Sequence, residues 1–216
     1  MSATRFVALG DSCVAVQFSE TIDEAVNERC IAAAEMLERR RIRGVLDVVP
    51  TYNAVTVYFD PLKIDRRSLD VELYELGESK PRATNPTPRT VEIPVSYGGA
   101  AGPDLQAVAE FAGVSASEVI RLHTSNTYRV YMLGFLPGFA YMGSVDPRIA
   151  MPRLEAPRMR VPAGSVGIAG AQTGIYPCDT PGGWRIIGLT SVKMFDSSRD
   201  EPFLLKAGDR VSFVAQ

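Results

Sequence analysis

The chain has 216 residues, 46% of them hydrophobic and 22% charged, with a net charge of −2 at pH 7. That is long and apolar enough to bury one large core or two small ones, and too apolar for disorder. The mild acidity gives no electrostatic case for nucleic acid or an anionic membrane, and no run approaches the roughly 18 apolar residues of a membrane span.

The N-terminus, MSATRFVALGDSC, has no basic region followed by an apolar block, so it does not read as a signal peptide. Cys13, Cys30 and Cys178 are odd in number and form no CxxC pair, which predicts reduced thiols, no zinc site and a cytoplasmic location. Two strand-like runs come first, RFVALG and CVAVQF, the second alternating Val14, Val16 and Phe18. A helix follows. Thr21 and Glu24 have the spacing of a capping box, and Ile22, Val26, Cys30, Ala33 and Leu37 recur at helical period. The cluster ERRRIR ends this helix near Gly44, where cations suit its C-terminal dipole. GVLDVV and AVTVYF read as strands joined by the turn PTYN, and a second helix is expected over 65–76. The order β-β-α-β-β-α predicts a small α+β layer.

KPRATNPTPRT, residues 80–90, has three prolines and no large apolar side chain. It is the expected boundary between a domain over 1–84 and another over 85–216. Beyond it, Pro94 marks VEIPVSY as an edge or bulged strand. Two short helices come next, PDLQAVAEFAG and SASEVIRLHTS. Ala109, Gly113 and Val119 have helix-turn-helix spacing, but the second helix offers little basic charge, so packing is the better account. After Thr127 the chain turns β-rich, with TYRVYMLGF, SVGIAG, GWRIIGL, SVKMF and DRVSFVAQ separated by Gly/Pro turns, the pattern of a barrel or sandwich.

Residues 161–184, VPAGSVGIAGAQTGIYPCDTPGGW, hold six glycines, three prolines and one charge, Asp179. The chain contains no GxxxxGK[ST] loop, no GxGxxG after a strand and no cluster of metal ligands. A binding site must therefore come from glycine backbone, arginines and polar side chains. Residues 133–143 offer turn glycines with Phe135, Phe139 and Tyr141. Residues 152–164 set Arg153, Arg158 and Arg160 among prolines, and residues 161–184 add Gln172, Thr173, Tyr176 and Trp184. Arg158 and Arg160 share one face of an extended segment and would repel unless an anion sits between them. His123 is the only histidine and stands beside a polar loop; a nucleophilic pair with Cys178 has no local mark of activation.

Taken together, GFLPGFAY, PRMRVPAGSVGIAG, QTGIYP and PGGW resemble the allophanate hydrolase subunit 1 family, over nearly the whole chain. That family includes one component of the bacterial three-part 5-oxoprolinase and a sporulation histidine-kinase inhibitor. The resemblance implies an α+β N-terminal domain and a mainly-β, cyclophilin-like C-terminal barrel, without implying isomerase activity. It implies an ATP-dependent opening of the 5-oxoproline lactam to glutamate, with phosphorylation of the lactam oxygen before water attacks. ATP and magnesium would be shared with a partner. The expected partners are a larger subunit with cyclophilin-like domains and a lactam-utilisation subunit. Binding to a histidine kinase, or action on allophanate or urea-type substrates, are the alternatives. For the lactam chemistry, His123, Arg160 and Gln172 are the expected catalytic groups. Arg153, Arg158, Gly164, Ser165, Gly167, Tyr176 and Trp184 are expected to bind substrate, with no metal ligand from the chain itself. Where relatives often read LIGRTP after PGGW, this chain has IIGLTS, with Leu189 and Ser191 in place of arginine and proline.

Overall fold

Residues 4–78 and 88–216 are described by the computed structural model, in two units, Met1–Thr87 and Pro88–Gln216. Most of the expected connection, through residue 87, lies outside the described residues.

The first unit runs β1 (Arg5–Ala8), β2 (Cys13–Gln17), α1 (Glu24–Arg40), β3 (Val45–Pro50), β4 (Ala54–Phe59) and α2 (Arg66–Glu78). Its strands form one antiparallel sheet in the order β1-β2-β4-β3. Period-two alternation puts Val14 and Val16 of β2 and Val55, Val57 and Phe59 of β4 on one buried face. Cys30, Ala33 and Leu37 of α1 and Leu69, Leu73 and Leu76 of α2 complete that core. Burying each large apolar side chain contributes about 1.5–3 kcal/mol. Two details of α1 correct the sequence reading. Its N-cap is Asp23, whose carboxylate accepts from the amides of Ala25 and Val26, so Thr21 and Glu24 make no capping box. The helix also ends earlier, at Arg40, with Arg41 in the left-handed conformation. Gly44 (φ 93°) serves the next turn instead, where a Cβ would meet Ile64 Cγ2 at 2.8 Å.

The second unit opens with β5 (Thr90–Tyr97), α3 (Leu105–Ala112) and α4 (Ala116–Thr124). It continues with β6 (Thr127–Leu133), β7 (Ala140–Gly143), a 3-10 turn (Pro147–Ile149), β8 (Arg158–Val161), β9 (Ser165–Ala169) and β10 (Gln172–Ile175). The last strands are β11 (Thr180–Gly182), β12 (Arg185–Leu189) and β13 (Arg210–Ala215). Seven strands close a barrel in the order β10-β7-β6-β13-β5-β12-β9, and β8 pairs with β11 in a separate ribbon. Pro94 lies in β5 opposite Val214 of the parallel neighbour β13. The ladder to β12 reaches only Ser96 and Tyr97, so the proline's missing N–H falls beyond it. Val119 and Leu122 of α4 and Val108 and Ala109 of α3 join the barrel core, and Gly113 caps α3 at φ 66°. The helix-turn-helix spacing thus belongs to core packing. SVKMF is not a strand: between β12 and β13 only an isolated bridge joins Phe195 to Phe203. Met194 is buried there, so its apolar pattern reflects burial without a ladder.

Candidate functional site

The barrel wall made by β7, β10 and β9 has two faces of different chemistry. Inside it, His123 is fully buried, stacked at 4.5 Å on Phe213 and tilted against Tyr128. The Thr173 hydroxyl donates to the Gly167 carbonyl at 3.0 Å, so it accepts from His123 Nε2–H at 2.9 Å. Nδ1 is then the acceptor, and the Tyr97 hydroxyl donates to it at 2.7 Å. Burial pushes the imidazole down to about 3, so it stays neutral. Burial also pushes the Tyr97 and Tyr128 phenols up. His123 is therefore engaged at both nitrogens and enclosed, while Cys178 is exposed; the two form no nucleophilic pair.

Outside the wall lies a second apolar cluster of Phe139, Val161, Tyr176, Trp184 and Ile186, edged by Tyr141 and Ala169. The glycines of residues 161–184 explain its seat. A Cβ on Gly174 would meet Trp184 Cζ3 at 3.0 Å and Phe139 Cζ at 3.2 Å, and one on Gly167 would meet Trp184 Cβ at 3.1 Å. The missing side chains let the indole lie on the wall. Phe139 centres the group, edge-on to Tyr141 at 4.8 Å and to Tyr176 and Trp184 at 5.3 Å each. Gln172, two residues before Gly174, is on this outer face, opposite Gly143 of β7 and Ala169 of β9.

A segment over residues 151–157 borders this face and is tied down at residues 151, 152 and 154. Gly170 N–H donates to Met151 O at 2.9 Å, Arg185 Nε to Pro152 O at 3.0 Å, and Leu154 N–H to Gly183 O at 2.7 Å. Arg153 lies between these ties, exposed, and its charge reaches two phenols of the cluster. Burial raises Tyr141 and Tyr176, and the Arg153 cation opposes the rise in both.

The other two expected arginines have anions within the chain. Arg158 pairs with Asp104 Oδ1 at 2.6 Å, while Asp104 Oδ2 accepts from Ile186 N–H at 2.6 Å. Arg160 pairs with Asp179 at 2.6 Å, and the same carboxylate accepts from Ala163 N–H. That amide bond and the Arg160 contact hold the Asp179 carboxyl below its ordinary range. The anion expected between Arg158 and Arg160 is thus two protein carboxylates, which sequence reasoning did not find. Gly164, Ser165 and Gly167 are buried in β9 and the turn before it. Gly164 N–H donates to Tyr176 O and Ser165 N–H to Pro162 O, so these amides are engaged within the chain. Gly164 has φ 82°, and a Cβ there would collide with the Thr190 carbonyl oxygen. Leu189 stands beside it, exposed at the end of β12.

Tyr176 and Trp184 are brought together with Arg153, Arg158 and Gln172 around the outer cluster. His123 is not; it belongs to the inner face. The residues that sequence reasoning missed are Asp104 and Tyr97, and Thr173, expected with Gln172, bonds to His123 on the inner face instead. A separate apolar cleft of about 350 Å³ is lined by Leu133–Gly138 and Phe203, with Phe135 held at φ 67°.

Residues 4–205, which include the sheet unit and all of the barrel strands but β13, match one family description, "Carboxyltransferase domain, subdomain C and D", and the chain belongs to that family. Within it, the chain is 43% identical over 95% of its length to the B subunit of 5-oxoprolinase from Bacillus subtilis (strain 168), of which it covers 90%. It is 42% identical over 100% of its length to the B subunit of 5-oxoprolinase from Escherichia coli O157:H7, of which it covers 98%. The crystal structure of TTHA0988 superposes with a TM-score of 0.84 at 43% identity, over 94% of this chain and 40% of that one.

Proposed function

We propose that this chain is a B-type subunit of an ATP-dependent 5-oxoprolinase, opening the lactam of 5-oxoproline to glutamate with partner subunits. The observation that carries this reading is the 43% identity, across 95% of the chain, to the Bacillus subtilis 5-oxoprolinase component. Relatives that are one component of a lettered series speak for companions. We take these to be a larger subunit with cyclophilin-like domains and a lactam-utilisation subunit, and the seven-stranded barrel to be cyclophilin-like itself. In this reading residues 1–84 and 85–216 are separate domains. The three free thiols, and the lack of any described helix long and apolar enough to cross a membrane, support a cytoplasmic setting.

Amide resonance makes a five-membered lactam a poor electrophile, and ATP supplies the driving force that its equilibrium in water lacks. The chain's own groups do not fit an ATP–magnesium site. The Gly164 and Ser165 amides that would cradle phosphate are engaged, and no group of three His, Cys, Asp or Glu suited to a metal occurs among the described residues. The nucleotide then falls to the partner subunits, and the part of this chain is to hold the lactam in place. We assign that part to the outer face. Trp184 and Tyr141 wall it, and Gln172 offers an amide whose donor and acceptor match those of a lactam. Arg158 and Arg160 fix its frame through Asp104 and Asp179, and Tyr176 supports Trp184. His123, Gly164, Ser165 and Gly167 hold the wall behind it.

The test is 5-oxoproline-dependent ATP hydrolysis and glutamate release, by the chain alone and with its partner subunits. Activity is expected only for the assembled complex. A complex that assembles yet releases no glutamate from 5-oxoproline would overturn the reading.

A further inference from the structure

Five arginines lie between residues 148 and 185, and four of them have an acceptor within the chain. Arg148 is paired with Asp146, Arg158 with Asp104, Arg160 with Asp179, and Arg185 donates to the Pro152 carbonyl. Arg153 has no ion pair or hydrogen bond among the described residues. An exposed arginine without a partner is ordinary on a flexible loop, but the backbone here is not loose. Met151, Pro152 and Leu154 are each bonded to the β9–β10 turn, to Arg185 or to Gly183, so Arg153 sits between anchors on both sides. The segment starts at the turn that leads into Gln172 and ends against the backbone that precedes Trp184. Its cation acts on Tyr141 and Tyr176, two phenols of the same cluster. An arginine whose backbone is held beside an aromatic, glycine-floored face brings the donor fork for a carboxylate next to an apolar surface for a small ring.

We infer that Arg153 forms a carboxylate subsite on the outer face of the barrel, which selects an anionic five-membered ring over its neutral counterpart. The inference rests on the 5-oxoprolinase reading and adds the recognition of one particular group of the substrate. Gln172 faces the ring amide and Trp184 and Tyr141 its carbons, so the carboxylate points towards residues 151–157. Arg153 then fixes which edge of the ring meets the partner subunits.

The assembled complex tests this, with wild type, Arg153→Ala, Arg153→Lys and Arg148→Ala as a control for surface charge. Two compounds are compared, 5-oxoproline and its carboxamide, which keeps the lactam and lacks the anion. The measured quantities are KM for 5-oxoproline from ATP hydrolysis and the inhibition constant of the carboxamide. Arg153→Ala is expected to raise KM for 5-oxoproline by roughly tenfold to a hundredfold, the loss of one charge-assisted pair, with kcat near its wild-type value. Arg153→Lys should lie in between, because lysine keeps the charge but not the fork. The carboxamide should bind all four proteins alike. An unchanged KM in Arg153→Ala, or an equal weakening of both compounds, overturns the subsite while leaving the 5-oxoprolinase reading intact. A wild-type complex with no 5-oxoproline-dependent turnover overturns that reading, and the subsite falls with it.

Discussion

On β10, neighbouring residues face opposite worlds. Thr173 points into the barrel, accepts from His123 and donates to Gly167, so that every polar atom in that chain of bonds has its partner inside the fold. Gln172 points outward, onto a face edged by Arg153 and floored by glycines on which an indole rests. A polar group sealed inside must be satisfied by the protein itself, at the cost of any role with a ligand. On the outside, Arg153 is exposed and has no ion pair or hydrogen bond among the described residues. The histidine expected as a catalyst is bonded at both nitrogens inside the fold, and Arg158 and Arg160, unlike Arg153, are paired with carboxylates of the chain.

Substitutions can break this contrast, and the largest effect is expected inside. His123→Ala leaves the Tyr97 and Thr173 hydroxyls without their shared partner and opens a void against Phe213. The unfolding free energy of the barrel should fall by roughly 3–5 kcal/mol in denaturant titrations. A loss under about 1 kcal/mol would mean that the inner network holds little. Next comes Asp104→Ala, which strands Arg158 and the Ile186 amide together. About 2–3 kcal/mol of stability should be lost, less than for a fully enclosed pair because Arg158 is partly exposed.

Acid sharpens the same contrast. The imidazole of His123 titrates near 6.5 when unfolded and near 3 when folded, because burial disfavours the charged ring. Between those values the unfolded chain binds the extra proton. Its contribution is complete above pH 6.5 and is lost as pH falls towards 3, at about 1.4 kcal/mol per pH unit. By about pH 5 that is about 2 kcal/mol, and His123→Gln should flatten this part of the profile. The smallest effect belongs to the outer ribbon. Arg160→Ala removes a pair exposed on both sides and should leave the melting temperature within error, since such pairs are screened by water. A clear drop would show that the β8–β11 ribbon depends on it.

Much of the fold was legible because it is written in local periodicity. The alternation of Val14, Val16 and Phe18, the helical spacing of Cys30, Ala33 and Leu37, and the Gly/Pro punctuation after Thr127 all correspond to observed elements. Where reading failed, a competing role for the residue was the reason. Asp23 outcompeted Thr21 as the cap, and SVKMF owes its apolar character to the buried Met194, with only a single bridge at Phe195 in place of a ladder. The site was harder. Nothing local to Arg158 announces a carboxylate 54 residues earlier, nor to Arg160 one 19 residues later. Asp104 stands at a helix start, where a carboxylate ordinarily caps; here it makes no cap bond and reaches β12 and Arg158 instead. The glycines also have a packing role, since the bareness of Gly167 and Gly174 admits Trp184, while the Gly164 and Ser165 amides bond within the chain.

Trp184 carries one more consequence, because it is the only tryptophan in the chain. Intrinsic fluorescence excited at the indole band therefore originates from a single place, the aromatic cluster outside the barrel wall. Emission should be blue-shifted in the folded protein, as the ring is nearly sealed by Phe139, Tyr141 and Tyr176, and should move red when that cluster opens. Far-ultraviolet dichroism instead averages over both units and both helix pairs. The natural sequence thus comes with an optical label on one side of one wall. Any lag between the two signals during unfolding measures how independently that side lets go.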